Sequence, residues 1–273
     1  MMSIIEEIFS RRSLVWELVL KDLKLRYSRP ALGFFWAFLS PLLLVAIFYL
    51  IFSVVLRVQV KEAPFPVYLM TALFSWRFFQ DSLFSSTTSL VDNKNLIKEA
   101  RFPHYLIPLS IVLANGIIFL PSLGILIITL LFYLKGLPLL IIFLPVILGI
   151  HLILTMGGSL IFSILYVKWR DIKYILEAAL TILFYLTPAF YSLQLVKDSF
   201  PRLLFKMYIY NPLTGMLNLY RATLIKGFYG FVKEDIGPMA LMVMPVLFAF
   251  LILLLGFYLY NKNKESINDY LAY

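Results

Sequence analysis

Long apolar runs separated by short charged connections set the pattern of this chain. A helix crossing a bilayer needs about 20 predominantly apolar residues, since roughly 30 Å of hydrocarbon is covered at about 1.5 Å per residue. Six stretches meet or approach that length, at 32–56, 67–91, 105–134, 138–166, 174–191 and 239–260. Before the first of them, Ile5, Phe9, Trp16, Leu20, Leu23 and Tyr27 alternate with Glu6, Ser10, Glu17, Lys21 and Lys24 at helical spacing, as expected of a helix lying in the membrane interface. Between the fifth and sixth runs, 203–209 and 213–225 are apolar but too short to span, which predicts re-entrant or interfacial helices broken at Asn211 and Pro212. The expected fold is therefore an all-α integral membrane protein with six transmembrane helices. Residues 1–30 form its interfacial helix and 31–273 a single spanning domain.

Charge gives the orientation. Six Lys and Arg precede the first run, three follow the second (Lys94, Lys98, Arg101), three follow the fourth (Lys168, Arg170, Lys173) and two follow the sixth. The first and third connections hold only Arg57, Lys61 and Lys135. Lys and Arg concentrate on the cytoplasmic side of membrane proteins, so both termini are expected in the cytoplasm. The long fifth connection carries six basic residues of its own, but long loops orient a chain weakly. No small-residue cleavage site follows the first apolar run, and no removable signal peptide is expected.

Composition agrees with lipid as the solvent: 62% of the 273 residues are hydrophobic, 14% are charged, and the mean hydropathy is +0.89. The net charge of +9 is spread between apolar segments, which argues against nucleic-acid binding. With no cysteine and two distant histidines, disulfides and a histidine-based metal site are not expected. No Gly-Lys-Ser/Thr phosphate loop is present, so ATP hydrolysis is not expected of this chain.

Few polar residues interrupt the runs. Arg77 and Asp81 stand four apart on one face of the second span and can form an intramembrane ion pair, as a packing device or as a substrate contact. Phe34, Phe38, Phe48 and Phe52 form a stripe on the first span, either packing surface or a face on which sugar rings stack. The stretch Asn95, Leu96, Ile97, Lys98, Glu99, Arg101 and Phe102 reads as a short basic helix closed by Pro103. Its charges face water and its apolar residues are available to fill a cleft on a partner.

Four motifs carry a likeness: LIKEARFP after the second span, KWRDIKY after the fourth, LTPAFYS at the end of the fifth and YNPLTGMLNLYRATLIKG before the last. With these, the chain resembles the permease subunits of ABC exporters that move O-antigen, capsular polysaccharide and teichoic acid. The resemblance implies a homodimer joined to two copies of a separate nucleotide-binding subunit, where ATP and Mg would be held, and a lipid-linked polysaccharide as cargo. It implies that Asn95 to Phe102 is the coupling helix, with Arg170 and Asp171 in a second cytoplasmic contact. Pro188 and Tyr191 would stand near the outer gate, and Asn211, Pro212, Gly215, Tyr220 and Arg221 in the segment lining the exit. Arg202, Lys206 and Arg221 are expected to meet lipid pyrophosphate or headgroups. Two readings compete: an exporter of small hydrophobic compounds on the same architecture, and an integral-membrane enzyme acting on lipid-linked sugars.

Overall fold

A computed structural model describes residues 4–28, 33–58, 60, 63–99, 102–134, 136, 138–231 and 242–272. All regular structure among them is helical. The N-terminal segment is two helices, α1 (Ile4–Ser10) and α2 (Arg12–Tyr27), broken at Arg11. The buried positions are Val15, Leu18 and Val19, beside the expected apolar stripe; of that stripe Leu23 packs against the core, while Phe9 and Trp16 are exposed. The helix thus has a wide apolar surface, part packed on the protein and part exposed, and the periodic stripe straddles the two.

Next come α3 (Trp36–Phe48), which continues as a π-helical turn through Val55, and α4 (Phe65–Thr87). Two short helices follow, α5 (Ser89–Asp92) and α6 (Lys94–Glu99), and then α7 (Leu106–Leu134). A 3-10 turn, Leu139–Phe143, leads into α8 (Leu144–Lys168), and α9 spans Ile172–Leu186. The sequence continues as α10 (Leu193–Ser199), α11 (Arg202–Ile209), α12 (Pro212–Leu224) and α13 (Phe228–Phe231), and closes with α14 (Met244–Ala272).

Four continuous helical stretches among the described residues are long and apolar enough to cross a membrane: Trp36–Val55, Leu106–Tyr133, Leu139–Lys168 and Met244–Lys264. The other two expected spans differ for identifiable reasons. At 23 residues α4 has the length, but Ser75, Arg77, Gln80, Asp81 and Ser82 dilute its apolar run. In contrast, α9 has only 15 residues because Pro188 forces Thr187 into extended backbone, φ −98° and ψ 153°. The last helix runs well past the expected end at 260, so most of the tail is helical too.

The centre of the bundle is α4 packed between α7 and α8, with α14 along α8. That last pair meets backbone to backbone. A Cβ on Gly157 would lie 2.5 Å from the amide nitrogen of Leu253, and one on Gly256 would lie 2.9 Å from the Gly157 carbonyl oxygen. Small residues permit this approach, which replaces the hydrophobic drive that lipid removes. At one end of the bundle Val15, Leu18, Leu90, Ile97, Phe102, Tyr105, Tyr260 and Ile267 share a core. That end therefore gathers the N-terminal helices, α5 and α6, and the C-terminal part of α14.

Candidate functional site

The knob formed by α5 and α6 is keyed into the bundle. Ile97 is 7% and Phe102 9% exposed, and both pack in the core just described, with Leu96 against it. The expectation that these apolar residues fill a partner's cleft is corrected: they face inward. What the knob shows outward is Asp92, Lys94, Asn95, Lys98 and Glu99; Arg101 lies outside the described residues. Lys21 of α2 donates to Asn93 Oδ1 at 2.7 Å, and the Tyr260 hydroxyl accepts from the His104 amide at 3.1 Å, tying both sides of the knob to the bundle. Burial in an apolar setting lowers the His104 imidazole below its usual value. Beside α9, Arg170 and Asp171 are exposed, the Arg170 guanidinium lying 5.1 Å from the centre of the Tyr166 ring.

At the other end, the corner after α9 gathers the aromatic residues. Phe48 and Phe52, one turn apart on the first span, stack at 5.7 Å with planes 8° apart. Both reach Phe190, at 6.0 and 4.8 Å, and Phe48 also meets Phe184 at 6.3 Å. Phe190 touches Tyr191 at 5.2 Å, so two of the four stripe residues join the Pro188–Tyr191 corner. Phe38 lies about 15 Å further along the helix axis, away from this cluster. The side chain of Phe34 is outside those described.

Behind the corner lies Arg221, with 0% of its surface exposed. Its guanidinium carbon sits 3.5 Å from the centre of the Tyr68 ring, and Nη2 donates to the Ala189 carbonyl at 3.1 Å. Nη1 donates to Asn218 Oδ1 at 3.3 Å. The Tyr68 hydroxyl donates to the Tyr191 carbonyl at 3.1 Å, and the Tyr208 hydroxyl to that of Tyr191 at 3.0 Å. Arg221 thereby links α4, the corner and α12, and Tyr191 ties α11 to the same cluster. The arginine is not the headgroup-facing cation expected from the charge pattern; Arg202 and Lys206 on α11 are exposed.

The 210–212 break also forms as expected. Asn211 caps α12 by accepting from the Leu213 amide at 3.0 Å, with Pro212 at the first helical position, where its missing N–H costs nothing. Every residue from Leu213 to Leu224 is buried, Gly215 included, so α12 is an interior helix. Tyr220 reaches His151 Nδ1 at 3.0 Å, joining α12 to α8.

The Arg77–Asp81 pair forms at 3.7 Å, and Arg77 Nη1 donates to Ser40 of α3 at 3.1 Å. Both side chains open onto a cleft instead of the packed interior.

Residues 13–225 match the family model of the ABC-2 type transporters. The chain belongs to the ABC-2 type transporter family. The match runs from the start of α2 to the residue after α12, so the knob, the corner and the ion pair all lie within this ABC-2 domain. The chain is 34% identical over 215 residues to an O-antigen export system permease protein RfbA of Klebsiella pneumoniae, covering 76% of this chain and 78% of that one. A protein of the same name from Myxococcus xanthus is 30% identical over 239 residues, with 88% and 89% covered. The polysialic acid transport protein KpsM of Escherichia coli is 22% identical over 264 residues, 92% and 93% of the two chains.

Three residues of this arrangement are not marked by the sequence pattern. Phe190 lies inside the LTPAFYS motif between Pro188 and Tyr191, where nothing local distinguishes it from other aromatic positions. Tyr68 and Asn218 carry no local signal, since their contacts to Arg221 exist only on the folded chain.

Proposed function

We propose that this chain is the permease subunit of an ATP-driven exporter that moves a lipid-linked polysaccharide, most directly an O-antigen, across the inner membrane. Two copies pair around a shared channel and bind two copies of a separate ATPase subunit, which supplies ATP and Mg. The reading is carried by the family membership, taken with the names of relatives that align over most of their length. In this reading α4 is a fifth crossing, and α9 with the corner after it makes the sixth. Both termini are cytoplasmic, and α11 and α12 form a re-entrant pair on the outer side.

The geometry supports a lever. ATP binding draws the ATPase subunits together and pushes the knob through Asn95, Lys98 and Glu99, with Arg170 and Asp171 as a second point of contact. Ile97 and Phe102 are keyed into the core shared by α2, α7, α8 and α14, so the knob moves only with those helices. At the other end the aromatic corner holds successive sugars on ring faces, each weakly, as a polymer that must also leave requires. Nothing in this scheme needs a reacting group on this chain.

Purification from the native membrane in mild detergent, followed by mass spectrometry of stoichiometric partners, tests the assignment. An equimolar ATPase with a phosphate-binding loop is the expected result. A homo-oligomer without one, under conditions that hold other ABC complexes together, would falsify it.

A further inference from the structure

A cleft of about 340 Å³ opens between the end of α2, the start of α3 and the middle stretches of α4 and α7. It sits toward the end of the bundle that carries the knob: Asp81 is about 9 Å along α4 from Thr87, and Asn115 about 13 Å along α7 from Leu106. Its polar wall is Ser40, Arg77, Asp81, Asn115 and Ser122; on the apolar side Trp36 presents an exposed ring in front of the buried Phe74, Phe78 and Phe119. The Asp81 side chain is 51% exposed and that of Arg77 35%, all within spanning segments.

A charge facing hydrocarbon at a helix centre costs about 2.5 to 3.5 kcal/mol, so an alkyl chain is a poor occupant. An anion is also a poor one. Asp81 lies against Arg77, and Asp22 against Arg26 at 2.9 Å, so the two guanidiniums near the cleft are already balanced. Arg26 in turn donates to Asn115 Oδ1 at 2.8 Å, which fixes that side of the wall. What the cleft offers is a carboxylate acceptor, a guanidinium donor and hydroxyls beside a flat apolar face. That mixture suits a neutral ring bearing several hydroxyls, whose edge both donates and accepts and whose C–H face rests on an aromatic ring. The volume falls in the usual range of small-molecule clefts, roughly 300 to 1,000 Å³, and does not accommodate a polymer.

We propose that this cleft is a binding site for a single sugar ring of the lipid-linked glycan, with Asp81 and Arg77 hydrogen-bonding its hydroxyls and the exposed ring of Trp36 carrying its face. The proposal rests on the glycan-exporter reading and adds a sugar subsite away from the aromatic corner. At this depth it would hold a ring close to the lipid while the rest of the chain passes elsewhere.

The full chain, with the subunits that purify alongside it, is placed in lipid nanodiscs and irradiated with an alkyl glucoside whose diazirine is on the sugar. An alkyl phosphate of equal chain length, with its diazirine beside the phosphate, serves as the comparison. The glucoside is expected to label peptides from the start of α3 and the middles of α4 and α7. Free alkyl glucoside should compete and alkyl phosphate should not. Asp81→Ser and Trp36→Ala should each cut labelling about tenfold, the effect of losing one good contact. The second variant alters a ring that is 42% exposed and leaves the core intact. Equal or stronger labelling by the phosphate, or glucoside labelling confined to other peptides, overturns the sugar site. Absence of labelling in a preparation that retains its ATPase overturns this site alone. Labelling without any ATPase keeps the site and overturns the exporter reading.

Discussion

Arg221 brings a full charge into a solvent-free site, where it is kept by the Tyr68 ring, the Ala189 carbonyl and Asn218. Replacing it with Met removes the cation–π contact and leaves the carbonyl unsatisfied, so we expect a loss of about 3 kcal/mol, read by thermal unfolding in detergent. Tyr68→Phe keeps the ring and loses only the bond to Tyr191, and should cost about 1 kcal/mol. Similar losses in the two variants would contradict this division of roles. His104 supplies a pH signature. Its value in the fold is lowered by burial, so its contribution is complete above the free-imidazole 6.5 and is lost as pH falls from there through the lowered value. His104→Gln should flatten stability over that interval, checked by melting curves across pH. At this scale the sequence marked Arg221 through its motif but misjudged its surroundings. Its ring partner lies on α4, and pairing between two distant helices leaves no periodic trace in either.

Among the elements, α8 and α14 are held by glycine. Gly157→Leu would drive a side chain into the Leu253 backbone, and overpacking of this kind costs about 1 to 3 kcal/mol, visible as a lower melting temperature and yield. The knob gives a sharper contrast. Phe102→Ala empties a buried site and should destabilise the chain by about 3 to 5 kcal/mol. Lys98→Glu lies on the exposed face and should leave melting unchanged within about 0.5 kcal/mol while lowering export. If Lys98→Glu exports normally, the knob is not where the ATPase pushes. The apolar runs located α3, α7, α8 and α14 well, because hydrocarbon thickness dictates their length. They did less well with α9, where Pro188 cut short an otherwise apolar stretch, and with α2, where the buried positions lie beside the periodic stripe. The inward packing of Ile97 and Phe102 was illegible for a similar reason. An apolar residue on a short charged helix looks the same whether it keys into its own bundle or into a partner.

For the whole molecule, the division of labour follows from what the chain carries. Arg77 and Asp81 are paired at a cleft, the knob is mounted on the core at one end, and a cluster of rings gathers at the opposite end of the bundle. A force applied at one end therefore has a mechanical route to the other, as the proposed coupling to a separate ATPase requires. The most direct test is to delete the gene for this chain in its native cell, leave the ATPase gene intact, and locate the lipid-linked glycan. The account predicts that glycan builds up on the cytoplasmic side, is lost from the cell surface, and returns to the surface with the wild-type gene but not with Lys98→Glu. Normal surface glycan in the deletion strain would contradict it.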